Sequence, residues 1–221
     1  MINELLEKKN HHGASLLMNH KVKGKSFRHL YYSNCVMPLY SFLSNKLGII
    51  LPESNYNHIA RLTTLSFIPI NFRIFVYKYT NNVLMFAERE ANAFPDKQID
   101  KACKGCLVNN IHPAVSEKSE HILYFCEGTK ILRDRLGEIT LNRNFDIEEL
   151  SIGYTESTIA RNLAINCLIL LHHKFIYDYR KVPANLNNLI FFKEWLISSI
   201  HSMLINNILL RDTCLCIVEE I

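Results

Sequence analysis

Thr155-Glu156-Ser157-Thr158-Ile159-Ala160-Arg161-Asn162-Leu163-Ala164-Ile165-Asn166-Cys167-Leu168-Ile169-Leu170-Leu171-His172-His173-Lys174-Phe175-Ile176-Tyr177-Asp178-Tyr179-Arg180 is a long run without glycine or proline. Thr155 or Ser157 can cap its start, and Pro183 stands just past its end. Its apolar stretch, Leu163 to Leu171, is interrupted by Asn166 and flanked by Arg161, His172 and His173, too short to span a bilayer. A buried helix is the reading, and at 1.5 Å per residue it would be roughly 35 Å long. A second helix is predicted from about Asn187 to Arg211, with Leu189, Phe192, Leu196, Ile200 and Met203 in one stripe. Lys193, Glu194 and His201 inside it argue against a membrane span. The short connection makes the two an antiparallel hairpin.

Moving toward the N-terminus, the same period recurs. Pro69 starts a run with Phe72, Phe75, Val76 and Tyr79 on one face, ending at Asn81-Asn82. A helical stretch lies near Asn57 to Leu65. Pro38 opens a helix closed by Gly48, with Leu39, Phe42, Leu43 and Leu47 at helical spacing, and Ser26 caps another through Cys35, facing Phe27, Leu30 and Tyr31 inward. Val83 to Asp100 fits no period. A short helix after Cys126 is expected to stop at Gly137. With only seven glycines and six prolines, and little strand-like alternation, the fold class is mostly α. The organisation expected is a flexible basic arm over residues 1–25, a helical region over 26–100, a metal-binding module over 101–137 and the C-terminal helical hairpin over 138–221.

Apolar residues form 48% of the 221 and charged residues 21%, so the chain has the composition of a folded globular protein rather than a disordered one. A net charge of +4 permits a polyanionic partner without demanding one, and local clustering must decide. No apolar signal core follows Met1-Ile2-Asn3-Glu4, so the expected location is intracellular, cytoplasmic or nuclear, without membrane attachment. In a reducing compartment, paired cysteines read as metal ligands before they read as a disulfide.

Such a pair is present. Cys103-Lys104-Gly105-Cys106 is followed after fourteen residues by His121-Ile122-Leu123-Tyr124-Phe125-Cys126, a C-x2-C-x14-H-x4-C pattern. Three thiolates and an imidazole suit tetrahedral Zn²⁺. Two sulfurs separated by two residues can turn onto one ion, with Gly105 supplying φ freedom and Lys104 offsetting thiolate charge. His112 competes with His121 for the fourth place; His121 is preferred for its compact spacing to Cys126. With four ligands filled, the Zn²⁺ would be structural, leaving no position for a reactive water. A redox role for Cys103 and Cys106 would need a βαβ setting that the pattern lacks.

This cluster resembles the zinc-binding region downstream of the polymerase domain in non-LTR retrotransposon reverse transcriptases. There a Cys pair and a loop precede Glu-Thr-x-x-His, two hydrophobic residues, two more positions and a Cys, and Ser119-Glu120-His121-Ile122-Leu123-Tyr124-Phe125-Cys126 resembles that pattern from its His to its Cys. Lys25-Ser26-Phe27-Arg28-His29-Leu30-Tyr31, Leu51-Pro52 with Ile68 to Asn82, and Leu170 to Arg180 resemble flanking elements of that region, so the likeness covers about residues 25 to 200. Its loop of fourteen is longer than usual for the family. No polymerase Tyr/Phe-x-Asp-Asp is present, so the resemblance implies a nucleic-acid-binding module, with RNA or DNA as partner and a polymerase domain in a longer relative, and no catalysis of its own.

Three basic groups could meet phosphate: Lys21, Lys23, Lys25 and Arg28, followed by Tyr31 and Tyr32; Lys130, Arg133 and Arg135 after the cluster; and Lys174, Arg180 and Lys181 around Tyr177 and Tyr179. Lysines supply salt-sensitive attraction and tyrosines can stack on bases. The nuclease that some retroelement proteins carry has no counterpart: Pro95-Asp96 and Asp100-Lys101 lie too close together and before the cluster. His172 and His173 point about 100° apart on a helix and cannot easily share a ligand site, so one is expected at the core boundary and the other in solvent. No catalytic residue and no small-molecule site are expected, and Cys214 and Cys216 receive no role. The alternative function is a helical protein-interaction domain in which the C-terminal hairpin docks a partner.

Overall fold

A computed structural model describes residues 58–108, 115–155 and 158–219. The predicted helices between residues 26 and 48, the basic residues Lys21, Lys23, Lys25 and Arg28, and His112 lie outside them. The described residues all belong to the unit spanning Leu51–Ile221. Helix dominates, and among the described residues the extended pairing is a single antiparallel bridge between Ala102 and Ser116.

The first described helix, α1 (His58–Arg61), runs into a 3-10 turn at Leu62–Thr64. Helix α2 (Ile70–Thr80) begins after Pro69 and buries Phe72, Phe75, Val76 and Tyr79, as their spacing requires. It ends where Asn82 takes φ 50°, a left-handed conformation that asparagine tolerates. The segment without a period holds α3 (Ala87–Ala93), seven residues long and rich in alanine and glutamate. Such a helix is too short to display an amphipathic stripe.

Helix α4 (Lys104–Val108) carries the second cysteine of the pair, and α5 (Glu127–Leu141) follows the last ligand. Gly137 does not stop α5. It is buried within the helix, and a Cβ there would meet the Arg143 carbonyl oxygen at 2.7 Å and the Phe145 nitrogen at 3.0 Å. The glycine serves the return of the chain across the helix, and Asn142, at φ 56°, ends it instead. Helix α6 (Ile147–Ile152) starts on a reciprocal capping box between Asp146 and Glu149.

The core is built around α7 (Ile159–Tyr179). Leu168, Ile169, Leu170, Leu171, Phe175 and Ile176 are at most 1% exposed, so this helix is covered on nearly every face. Full burial of such side chains contributes roughly 1.5–3 kcal/mol each. Asn166, the polar interruption, accepts from the Tyr154 N–H at 2.7 Å and donates to its carbonyl at 3.0 Å, tying the incoming loop to α7. The N-cap is Thr158, whose side chain makes no capping bond.

The hairpin forms, with one correction. Its second arm breaks into α8 (Leu189–Met203) and α9 (Ile208–Glu219), because the Asn207 side chain caps α9 by accepting from the Leu210 N–H at 3.1 Å. Phe175 packs on Phe192 and Trp195 at 4.9 and 5.3 Å between ring centres, and Tyr179 on Phe191 at 5.1 Å, the antiparallel register of α7 and α8. Cys214 is buried on α9, with its thiol facing the Ala164 carbonyl at 3.9 Å. It is a packing residue.

Candidate metal centre

Three local structures bring the ligands together. The first is the bridge beside Cys103: the Cys103 N–H donates to the Val115 carbonyl at 2.8 Å and the Glu117 N–H to the Lys101 carbonyl at 2.7 Å, closing the long loop at its base. The second is the Cys103–Cys106 turn leading into α4. The third is a π-helical turn, His121–Phe125, closed by the Cys126 N–H donating to the His121 carbonyl at 2.7 Å. On an α-helix, residues five apart diverge by about 140°. The i to i+5 bond of the π turn instead places His121 and Cys126 together. The Thr129 hydroxyl, bonded to the Ile122 and Cys126 carbonyls at 3.0 and 3.1 Å, holds that turn onto the start of α5.

The result is convergence. The donor atoms of Cys103, Cys106, His121 and Cys126 lie within 4.8 Å of one another and can hold a metal ion. Cys103 and Cys126 sulfurs are 3.6 Å apart, Cys106 and Cys126 sulfurs 3.8 Å, and Cys106 Sγ lies 3.1 Å from His121 Nε2. These spacings are far from a disulfide at about 2.05 Å. Two sulfurs at about 2.3 Å from one tetrahedral ion would stand about 3.8 Å apart. The three cysteines are at most 2% exposed, and His121 is half-buried.

The thiols behave as a set. The Cys103 S–H donating to Cys126, and then His121, hold the Cys126 thiol down at about 4 against burial. The same partnership, with burial, pushes Cys103 far up, and burial followed by the charge on Cys126 raises Cys106. One negative charge is thus easily placed and further ones are opposed, a situation that a cation reverses.

Gly105 has a different purpose from the one its position suggests. Its φ is not positive, but a Cβ would stand 3.0 Å from the Cys126 sulfur and 3.7 Å from the Cys103 sulfur. Opposite it, a Cβ on Gly128 would meet the Gly105 carbonyl oxygen at 2.3 Å and its Cα at 2.6 Å. Two glycine backbones are therefore in contact beside the cluster. Gly128, in the first turn of α5, was not singled out by the pattern, although a glycine so early in a helix is a usable signal.

Lys104 forms an ion pair with Asp100, so its charge is already committed away from the thiolates. Among the basic residues, Lys130 pairs with Asp134, Arg135 with Glu138 at 2.6 Å, and Lys174 with Asp178 at 2.7 Å while lying over the Phe75 ring. Arg133 is half-buried, and its Nη1 has no hydrogen-bond partner among the described residues. Arg180 is 9% exposed. It donates to the Met85 carbonyl at 2.8 Å and to the Tyr177 carbonyl, stacks on Tyr177 at 4.3 Å, and faces the buried Glu117 at 3.3 Å. Tyr177 is itself packed against Phe75 and Phe86. Glu117, whose carboxyl is raised by burial, also accepts the Ala87 N–H at 3.0 Å, so this pair joins the end of α7 to α3 and to the base of the metal loop. Both members face inward.

Neither histidine of the pair meets solvent: His172 and His173 are both fully buried. His173 Nε2 must be the donor to the Leu150 carbonyl at 2.8 Å, since a carbonyl only accepts. Its Nδ1 is then free to accept from His172 Nδ1 at 3.3 Å, and the rings adopt one neutral arrangement. Tyr79 and Tyr124, joined hydroxyl to hydroxyl at 2.6 Å, pack on the His173 ring. This polar hub links α2, the π turn, α6 and α7, and no spacing in the sequence announces it.

Among the described residues no helix is long and apolar enough to cross a membrane. Comparison with known protein families, with curated proteins and with solved structures finds no match for this chain.

Proposed function

We propose that Cys103, Cys106, His121 and Cys126 hold a structural Zn²⁺, and that the helical body organised by it is a nucleic-acid-binding module without polymerase or nuclease activity of its own. The sulfur spacing of 3.6 and 3.8 Å carries the metal reading, because it is the spacing a tetrahedral thiolate site requires. Zn²⁺ is favoured over harder cations by three thiolates and an imidazole, and four protein donors make the site structural. The nucleic-acid reading is supported by the basic and aromatic residues from Lys21 to Tyr32 and by the resemblance of the cluster to the region after a retrotransposon polymerase domain. Lys130 and Lys174 would add to that surface only by exchanging their carboxylate partners for phosphate; Arg180, buried against Glu117, acts within the body.

The test has two parts. Purified full chain should contain one equivalent of zinc by elemental analysis. Binding to single-stranded RNA and DNA should weaken linearly with the logarithm of salt concentration. Negligible affinity at low salt, with zinc present, would favour the second reading, a helical protein-interaction domain. A specific observation supports that reading: Ile205, Ile208 and Leu209, at the turn between α8 and α9, are 66%, 63% and 73% exposed.

A further inference from the structure

Resting on the zinc reading, we propose that Tyr124 and Tyr79 are positioning residues of the metal centre: their hydroxyl pair, inside the core, fixes the π turn that brings His121 and Cys126 onto one ion. The His121–Phe125 turn has no side chain capping its start. Turns of this kind are rare within helices and gather at functional sites. Relaxed to an α-helical pitch, the same five-residue step would set His121 and Cys126 about 140° apart, and the centre would lose a ligand. The turn therefore depends on anchors outside it. From the side of α5 there is the Thr129 hydroxyl, bonded to the Ile122 and Cys126 carbonyls. From the core there is Tyr124.

Tyr124 stands between the two ligands in sequence and is 5% exposed. Its hydroxyl lies 2.6 Å from that of Tyr79 on α2. Tyr79 has one hydroxyl proton, directed to the Ser151 and Leu150 carbonyls at 3.2 and 3.3 Å. Tyr124 is then the donor to Tyr79, and a chain of bonds runs from the π turn through α2 to α6. Leu150 is fixed in turn by the His173 ring, which donates to its carbonyl at 2.8 Å and meets the Tyr124 ring edge-on at 5.8 Å between centres. Burial makes the chain exacting, because a hydroxyl displaced from it loses its partner without gaining water. The orientation of Tyr124, and with it the pitch of the turn, is thus set by groups of α2, α6 and α7.

The experiment measures zinc affinity, by chelator competition on the full chain, for wild type, Y124F, Y79F, the double variant and C214A. The last is a control that removes a buried thiol from α9. Each phenylalanine keeps the ring and should weaken zinc binding about 10-fold, the lower end of the range for groups that support metal ligands. The double variant should lose about 10-fold rather than about 100-fold, because both changes break one bond. C214A should stay within about threefold of wild type. Cobalt(II) bound in place of zinc should show altered ligand-field absorption in Y124F and not in C214A, a readout of site geometry that lost stability alone does not move. Wild-type affinity in both phenylalanine variants, losses that multiply in the double variant, an unaltered cobalt spectrum in Y124F, or a loss in C214A as large as in Y124F overturns the proposal. Should Y79F fail to fold, Y124F against C214A decides alone. A wild type that takes up no zinc refutes the metal reading itself, a separate outcome.

Discussion

Lowering the pH should unfold this protein partly through His173. The ring is fully buried, and burial pushes its pKa down to about 4, the charge of Arg133 acting in the same direction and the bond to the Leu150 carbonyl opposing it. In the unfolded chain a histidine titrates near 6.5. Between those values the unfolded state binds more protons, so stability rises with pH, is complete above about 6.5, and is lost as the pH falls toward 4. The difference of about 2.5 units, at 1.36 kcal/mol each, amounts to roughly 3.4 kcal/mol at neutral pH, of which about 2 kcal/mol has gone by pH 5. The groups facing the ring are His172, Arg133, Tyr79 and Tyr124. His172 is shifted down as well, chiefly by burial, and adds in the same direction. Acid also weakens any thiolate–metal site, so wild type alone cannot isolate the effect. His173→Gln can, because a glutamine amide can still donate to Leu150. Urea unfolding at pH 7.5 and pH 5.0 should show wild type losing about 2 kcal/mol more than H173Q. Equal losses in the two proteins would refute the assignment of acid sensitivity to this ring.

Gly128→Ala should destabilise by about 3 kcal/mol or more, read by urea unfolding, since its Cβ would overlap backbone rather than a movable side chain. Cys126→Ser should remove the zinc and lower the thermal midpoint by more than about 10 °C, because ligand binding and folding are linked; an unchanged midpoint would deny the site a structural role. Arg180→Met leaves Glu117 buried without its cation and should cost about 3–5 kcal/mol, whereas the double change with Glu117→Leu should recover much of it. A double-mutant cycle with little coupling would show that the pair does not join α7 to α3.

What could be read from the sequence, and what could not, separates along a physical line. Periodicity reports which face of a helix is buried, so α2 and α7 were legible: Phe72, Phe75, Val76 and Tyr79 are buried as their spacing demands. Ligand chemistry is similarly local, and Cys103, Cys106, His121 and Cys126 could be named because few residue types bind soft cations. The misread positions are those whose role depends on a distant partner. Gly137 looks like a helix stop until Arg143 and Phe145 cross it, and Gly105 looks like a flexible turn until the Cys126 sulfur is beside it. The Asn207 cap that splits the second hairpin arm was visible only as an asparagine in an apolar run.

The cations make the same point most strongly. Counting arginines along the chain gives candidate phosphate contacts, but the role of each depends on what the fold sets against it. Arg180 meets Glu117 and the Met85 carbonyl, groups contributed from far upstream, and is lost to solvent. Arg133 stays half-buried, its charge opposed by burial and favoured by Asp134, Glu127 and Cys126, and that charge helps keep His172 and His173 neutral. Two residues of one type, read alike in the sequence, thus serve different parts of the structure: one secures the end of α7 to α3 through Glu117, and the other sets the charge around the buried histidine pair of α7.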